Sequence, residues 1–163
     1  MIVAFDSIPE EARVWVFQSD RFLTTAEESG LSRATGAFLE SWTAHAADLK
    51  SAFRIIDHVF LVIAVDERNT GASGCSLDKL HQFVKQAGSQ LNIDFLNRLR
   101  VTYLRGDDAL NSVSLTELET LMSHGEVMAE TKVYDVTVQT VAELKTSFVR
   151  ELKNTWLNRY RLA

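Results

Sequence analysis

The sequence predicts an α+β fold in which helices cover one face of an antiparallel-type sheet. Three observations support this. Short stretches rich in β-branched and aromatic residues alternate with stretches of helical period along residues 12–105. Two of the helical stretches carry a single apolar stripe, which is the pattern of a helix packed on a sheet. The composition is that of a folded chain, since 46% of the 163 residues are hydrophobic and 24% are charged.

The first predicted elements are a strand and a capped helix. Arg13–Phe17 is a continuous apolar run, which indicates a strand buried on both faces, and a polar loop, Gln18–Arg21, follows it. Thr24 and Glu27 have capping-box spacing and predict a helix to about residue 46. Gly30 weakens this helix and could break it. The apolar stripe of the helix consists of Leu31, Ala34, Phe38, Trp42 and His45.

A hairpin, a second helix and a fourth strand are predicted next. Ser51–Ile56 and Val59–Val65 are apolar runs separated only by Asp57–His58, the length of a tight hairpin turn. A second helix is expected from about Ser76 to Gln90, and Arg100–Arg105 closes the pattern as a strand. The stripe of the second helix is spaced 3-4-3-4 and consists of Leu77, Leu80, Val84, Ala87 and Leu91.

The resulting order, β-α-β-β-α-β, is that of a ferredoxin-like unit. Right-handed crossovers are expected to bring the first and third strands together as parallel neighbours at the centre of the sheet. We therefore predict a ferredoxin-like domain over residues 1–106 and a C-terminal α/β appendage over residues 107–163 that packs on it.

The appendage is predicted to contain two helices and one strand. Ser114 and Glu117 form a second capping box, and Gly125 would end the helix that they open. Lys132–Gln139 alternates between apolar and polar residues, as a half-buried strand does, and a helix over about 140–149 follows. The tail either packs on the domain or forms an exposed patch for a partner; its apolar residues are Trp156, Leu157 and Tyr160.

Charge and composition restrict the partners. The net charge of −5 argues against a duplex nucleic-acid binder and against binding to anionic membranes. No apolar run approaches the ~20 residues of a membrane span. The N-terminus lacks the basic and apolar regions of a signal peptide, and the single cysteine suits a reducing compartment, so a cytoplasmic protein is expected. A homodimer is possible.

The two ends of the chain carry opposite charge. Residues 1–30 are rich in acids and residues 141–163 are rich in bases. These charges either belong to solvated faces or bring the two ends together, within one chain or across a dimer.

The loop before the second helix is the candidate functional site. Its glycines and hydroxyls, from Thr70 to Lys79, precede helix amides that attract anions and stabilise a thiolate. Cys75 is therefore a candidate catalytic nucleophile, a redox-responsive thiol or part of an anion cradle. The alternative is that Cys75 is a small apolar core residue in a loop that only turns and caps.

Parallel first and third strands would place the loops after them side by side. The two loops would then form one polar rim for a ligand or an anion, made of Ser19, Asp20, Arg21, Asp66, Glu67, Ser73, Gly74, Ser76 and Lys79 together with Cys75. In this rim Arg21 and Lys79 would bind an anion, whereas Asp66 and Glu67 could hold a cation or act as a base. A simple Arg21–Asp66 salt bridge is the alternative. The four histidines lack metal-ligand spacing, so neither a metal nor a cofactor is predicted.

Several runs resemble a small bacterial family of the Bacteroidetes type. They are Trp15–Arg21, Phe60–Glu67 and Ala72–Lys79, together with the tail residues Trp156 and Arg159. Members of that family are sometimes labelled ABC transporter ATPases. This chain lacks the G-x-x-x-x-G-K-[ST] phosphate loop, so it is not predicted to be an ABC ATPase. The resemblance implies no particular activity.

The sequence thus predicts a small binding or interaction protein without an identifiable substrate. One alternative is an enzyme or a redox-responsive protein that uses Cys75 at the start of the second helix. Another is a non-covalent site for an anionic metabolite at the same rim.

Overall fold

A computed structural model describes residues 1–162 and shows a mixed α+β chain whose sheets are antiparallel. Short 3-10 helices cover Phe5–Ser7, Leu152–Asn154 and Trp156–Leu162. The longer elements are, in chain order, β1 (Arg13–Gln18), α1 (Thr25–Glu40), β2 (Thr43–Ala44), β3 (Ala47–Asp48), β4 (Ser51–Ile56), β5 (Phe60–Val65), α2 (Gly74–Leu91), β6 (Arg100–Leu104), β7 (Leu110–Ser114), α3 (Leu115–Ser123), β8 (Lys132–Tyr134), α4 (Val141–Ser147) and β9 (Val149–Glu151).

The first sheet has the order β1-β5-β4, and β5 is its central strand. Every residue of β5 is buried, as expected for the most apolar run in the chain. The predicted parallel pairing of the first and third strands is wrong: β1 and β5 are antiparallel, with Arg13 opposite Val65 and Gln18 opposite Phe60. A crossover through α1 makes β1 parallel to β4, and β5 turns back from β4 in a tight hairpin. Strand β5 must therefore run antiparallel to both β1 and β4.

The fourth predicted strand lies in a different sheet. β6 pairs with β7 and β8 in a four-stranded sheet of order β7-β6-β8-β9, so the strand order does not confirm a ferredoxin-like unit. The predicted domain boundary at residue 106 falls in the turn of the β6–β7 hairpin. The division at that residue stays a prediction. One buried hydrogen bond links the sheets, from Gln18 Nε2 in β1 to Thr102 Oγ1 in β6 at 2.7 Å.

The predicted caps and the hairpin turn are confirmed. Thr24 with Glu27 and Ser114 with Glu117 each form both hydrogen bonds of a capping box. The turn residues Asp57 and His58 have φ of 53° and 60°, the left-handed conformation that a tight hairpin turn requires.

Helix α1 ends earlier than predicted. It stops at Glu40 and is continuous through Gly30, where an added Cβ would meet nothing. The segment after it turns into the β2–β3 hairpin, in which His45 and Ala46 have positive φ. Trp42 therefore leaves the helix. Its indole is buried and donates to the carbonyl of Ser76 at 2.9 Å, which ties this segment to α2.

The predicted strand over residues 132–139 is shorter than its alternating pattern suggests. It ends at Tyr134 because the buried Asp135 carboxylate accepts hydrogen bonds from the backbone and the hydroxyl of Thr137. Such a side-chain-to-backbone turn competes with continued pairing. The structure also contains strands β7 and β9, which the pattern did not predict.

The oppositely charged ends of the chain meet. Lys145 lies 3.0 Å from Glu10, and the amide of Ala142 donates to the carbonyl of Glu10. Of the two alternatives, contact of the ends within one chain is therefore observed at this pair, and the pair also belongs to a solvated face because both side chains are exposed. Among residues 1–162, no helix has the length and apolar character needed to cross a membrane.

Candidate functional site

The predicted polar rim does not exist as one site. Because β1 and β5 are antiparallel, the loop after β1 and the loop after β5 lie at opposite ends of the sheet. Helix α2 separates the two groups of residues as well. Its 18 residues span about 27 Å at ~1.5 Å per residue.

Ser19, Asp20 and Arg21 are at the C-terminal end of α2. The buried Ser19 hydroxyl donates to the carbonyl oxygens of Arg21 and Val59, and Asp20 accepts the amide of Asp94. Arg21 is paired with Glu27 at 2.7 Å, which lowers the pKa of Glu27 to about 2. All three side chains are thus used locally, and the predicted Arg21–Asp66 salt bridge is wrong.

Asp66 and Glu67 are at the other end of the sheet. The buried Asp66 carboxylate is held by Arg68 at 2.7 Å and by Lys50 at 3.2 Å, and the Arg68 guanidinium keeps the pKa of Asp66 well below its usual range. Glu67 accepts the amide of Ala72 at 2.9 Å, which closes the loop before α2. These carboxylates therefore stabilise the loop between β5 and α2.

The start of α2 is capped by its own residues. Ser73 is the N-cap and accepts the amide of Ser76, while the buried Ser76 hydroxyl donates back to the Ser73 carbonyl. Gly74 is the first residue of the helix, and Lys79 is exposed one turn further on, beside a depression of about 350 Å³. Cys75 is exposed, so the alternative that it belongs to the core is wrong.

The exposed thiol gives a direct prediction. Iodoacetamide is expected to alkylate Cys75 in the folded chain without any unfolding step, because the side chain is already in solvent. Mass spectrometry of the native protein, with a urea-unfolded sample as reference, measures this. Alkylation that occurs only in urea would contradict the exposed position.

A groove of about 950 Å³ runs along the edge of β1 that faces away from β5. Five parts of the chain, far apart in sequence, form its walls. They are residues 13–17 of β1, His81 of α2, Leu96 with Arg98 and Leu99, the segment 136–139, and Trp156 with Arg159. This volume lies in the range of ligand sites. Leu96 and Leu99 are among the exposed large apolar side chains of the protein.

The charged groups of the groove are basic. Arg13, Arg98 and Arg159 line it, and within the described part of the chain, residues 1–162, no aspartate or glutamate does. The guanidinium of Arg13 lies 4.7 Å from the ring centroid of Trp15, and that of Arg159 lies 5.4 Å from the ring centroid of Trp156. An arginine stacked on an aromatic face still has in-plane N–H groups free to bind a carboxylate or phosphate. The groove therefore combines two tryptophan faces with positive charge.

The wall over residues 136–139 is fixed by Asp135. The buried Asp135 carboxylate accepts from Thr137 and forms an ion pair with the partly exposed Arg150. Burial raises the pKa of Asp135, but the hydrogen bonds from Thr137 and Arg150 outweigh it, so the pKa lies below its ordinary value. Beyond this turn, the amide of Val14 donates to the carbonyl of Gln139 at 2.9 Å, which joins the wall to β1.

Only part of this groove is predictable from the sequence. Trp156 is predicted either to pack on the domain or to form a partner patch, and Trp15 is predicted as a buried strand residue, whereas no sequence prediction covers Leu96, Arg98 or Leu99. The available signal for this part of the groove is a pair of leucines, Leu96 and Leu99, in the connection between α2 and β6. The sequence could not show that they lie beside β1.

Comparison with known proteins gives no assignment. No family model, curated protein or solved structure matches this chain. Among residues 1–162, no group of three or more histidine, cysteine, aspartate or glutamate side chains could hold a metal ion. Function therefore has to be inferred from the groove itself.

Proposed function

We propose that this chain is a binding protein that takes up an anionic ligand in the groove beside β1. The observation that carries the proposal is the lining of the groove, in which, among residues 1–162, three arginines and two tryptophans occur and no aspartate or glutamate does. Such a surface favours the binding of carboxylates or phosphates, because guanidinium groups form charge-assisted, bidentate hydrogen bonds with them. The net charge of the whole chain is −5, so this basic lining is a local feature.

The arginines of the groove are available to a ligand. Arg13 has one carboxylate nearby, Glu67 at 3.9 Å, which is a long and exposed contact. Arg159 donates to the carbonyl of Trp156, and among the described residues neither Arg98 nor Arg159 forms an ion pair. An exposed guanidinium without a partner can bind a ligand without first breaking a salt bridge.

The three tryptophans provide the test. Trp15 and Trp156 line the groove and are half-buried, whereas Trp42 is only 1% exposed in the core and serves as an internal reference. In ¹H–¹⁵N spectra, we expect hexaglutamate, adenosine monophosphate or oligothymidylate to shift the indole signals of Trp15 and Trp156 in a saturable way. The Trp42 signal should move clearly less than either, because its indole N–H stays bonded to Ser76 and its ring only meets that of Trp15 edge-on at a centroid distance of 6.3 Å.

The reversal variant Arg98→Glu/Arg159→Glu should abolish these shifts. Arg33→Glu/Lys85→Glu, which makes the same charge change at exposed positions outside the groove, should retain them. Absence of any saturable shift with all three probes up to about 1 mM, the weak end of the affinity scale, contradicts the proposed function.

Three further proposals rest on the sequence alone. The lone thiol supports a cytoplasmic location. The runs at Trp15–Arg21 and Phe60–Glu67 support membership of the bacterial family that they resemble. A second copy of the chain is a candidate partner.

A further inference from the structure

We propose that the ligand of the groove is an extended acidic segment of a partner protein, which adds to β1 as a further strand. This inference rests on the proposed function, because it specifies the ligand of the same groove. Its two supports are an unpaired strand edge and the charge of the lining.

The edge of β1 that faces the groove is unpaired at Val16. On this side the Val14 amide is bonded to Gln139, whereas the Ser19 amide is bonded to Val59 on the β5 side. Because backbone groups alternate between the two sides of an antiparallel strand, the N–H and C=O of Val16 point away from β5. Val16 itself lines the groove. Among residues 1–162, no backbone or side-chain group outside the β1–β5 ladder is hydrogen-bonded to its amide.

An unpaired strand edge is a template for another strand. Strand addition joins backbone hydrogen bonds with side-chain recognition on both faces of the added strand. From Trp15 to Gln18, β1 offers about 13 Å of edge at ~3.3 Å per residue, which suits some four residues of an extended peptide. Leu96 and Leu99, 40% and 57% exposed, offer apolar contacts beside it.

The positive charge of the groove indicates that the added peptide strand is acidic. Within residues 1–162, Arg98 and Arg159 form no ion pair with a carboxylate. Glutamate or aspartate side chains of the added strand would supply such partners. A nucleic-acid strand could use the arginines and the tryptophan faces. It could not pair with the backbone of Val16 as a strand does, whereas an acidic peptide can use both this edge and the arginines.

The test uses a blocked octapeptide of alternating glutamate and valine with the full chain. Saturating peptide is expected to slow hydrogen exchange of the Val16 amide by at least about tenfold, because that amide gains a backbone acceptor. The same peptide methylated at every backbone nitrogen should bind about tenfold more weakly, since it has lost its donors. Arg98→Glu/Arg159→Glu should weaken the parent peptide by at least about tenfold, and Arg33→Glu/Lys85→Glu by less than about twofold.

The other outcomes separate this inference from the proposed function. Shifts of the Trp15 and Trp156 indoles without protection of Val16 would show that side chains alone bind the anion. Strand addition is then overturned, and the proposed function survives. If oligothymidylate binds more tightly than the peptide, the proposal of a peptide ligand is overturned and the proposed function survives. A dimer in which Val16 is already protected without peptide identifies a second copy as the occupant and overturns the proposal. No binding of any probe overturns both proposals.

Discussion

Phe60→Ala is expected to lower the free energy of unfolding by about 3–5 kcal/mol, the cost of removing a large aromatic side chain from a core. Phe60 is fully buried in the central strand of the first sheet. Its ring stacks on Tyr134 at a centroid distance of 4.9 Å and meets the edge of Phe148 at 5.0 Å. The variant would therefore leave a cavity between β5 and the segments that follow β6.

Urea unfolding followed by circular dichroism measures this loss. Phe22→Ala is the matched control, because Phe22 is 41% exposed, and its cost should stay within about 0.5 kcal/mol. A cost below about 1 kcal/mol for Phe60→Ala would mean that the cluster of three aromatic rings does not form. Two separate unfolding transitions, one for the residues before residue 106 and one for those after it, would support the predicted division there.

The local features of the fold could be predicted because a few neighbouring residues determine them. A capping box needs only the residues at both ends of one helical turn, as at Thr24 and Glu27. The tight turn at Asp57–His58 needs only short polar side chains between two apolar runs. The stripe of α2 contains Leu80 and Val84, both fully buried, because a period of 3.6 residues defines the packed face.

Strand pairing was harder to predict because it depends on contacts far apart in sequence. The hairpin fixes β5 antiparallel to β4, and the crossover through α1 fixes β4 parallel to β1. Both facts together determine that β1 and β5 are antiparallel. The crossover rule applies to β1 and β4, not to β1 and β5, which are the first and third predicted strands. The predicted polar rim depended on a parallel β1–β5 pair, so its residues lie at opposite ends of the sheet.

The end of the strand after Lys132 shows a different limit. Alternation continues to Gln139 in the sequence, yet pairing stops when Asp135 bonds to Thr137. A buried carboxylate that folds back on its own segment overrides the alternating pattern. The same turn builds one wall of the groove, so the groove could not be derived from periodicity.

The second large effect concerns the partly buried ion pair between Asp135 and Arg150, behind that wall. Arg150→Met is expected to cost about 2–3 kcal/mol, because it leaves the Asp135 carboxylate buried with Thr137 as its only side-chain partner. The value is below the ~3–5 kcal/mol of a fully buried pair because the Arg150 side chain is 37% exposed. Arg105→Met is the matched control. Its pair with Asp107 lies in solvent, and its loss should cost less than about 0.5 kcal/mol.

The pH dependence of this cost distinguishes lost charge pairing from lost packing. In the native chain the pKa of Asp135 lies below its unfolded value of about 3.9, so its stabilising contribution is present above that pH and is lost as the pH falls through the folded value. In Arg150→Met, burial acts without the guanidinium and raises the pKa of Asp135, so the folded variant takes up a proton more readily than the native chain. The stability gap should therefore be largest near pH 7 and narrow towards about pH 3 in urea titrations. A gap that stays constant over this range would show that Arg150 contributes through packing alone, and the wall of the groove would then depend on the Asp135–Thr137 turn without support from the ion pair.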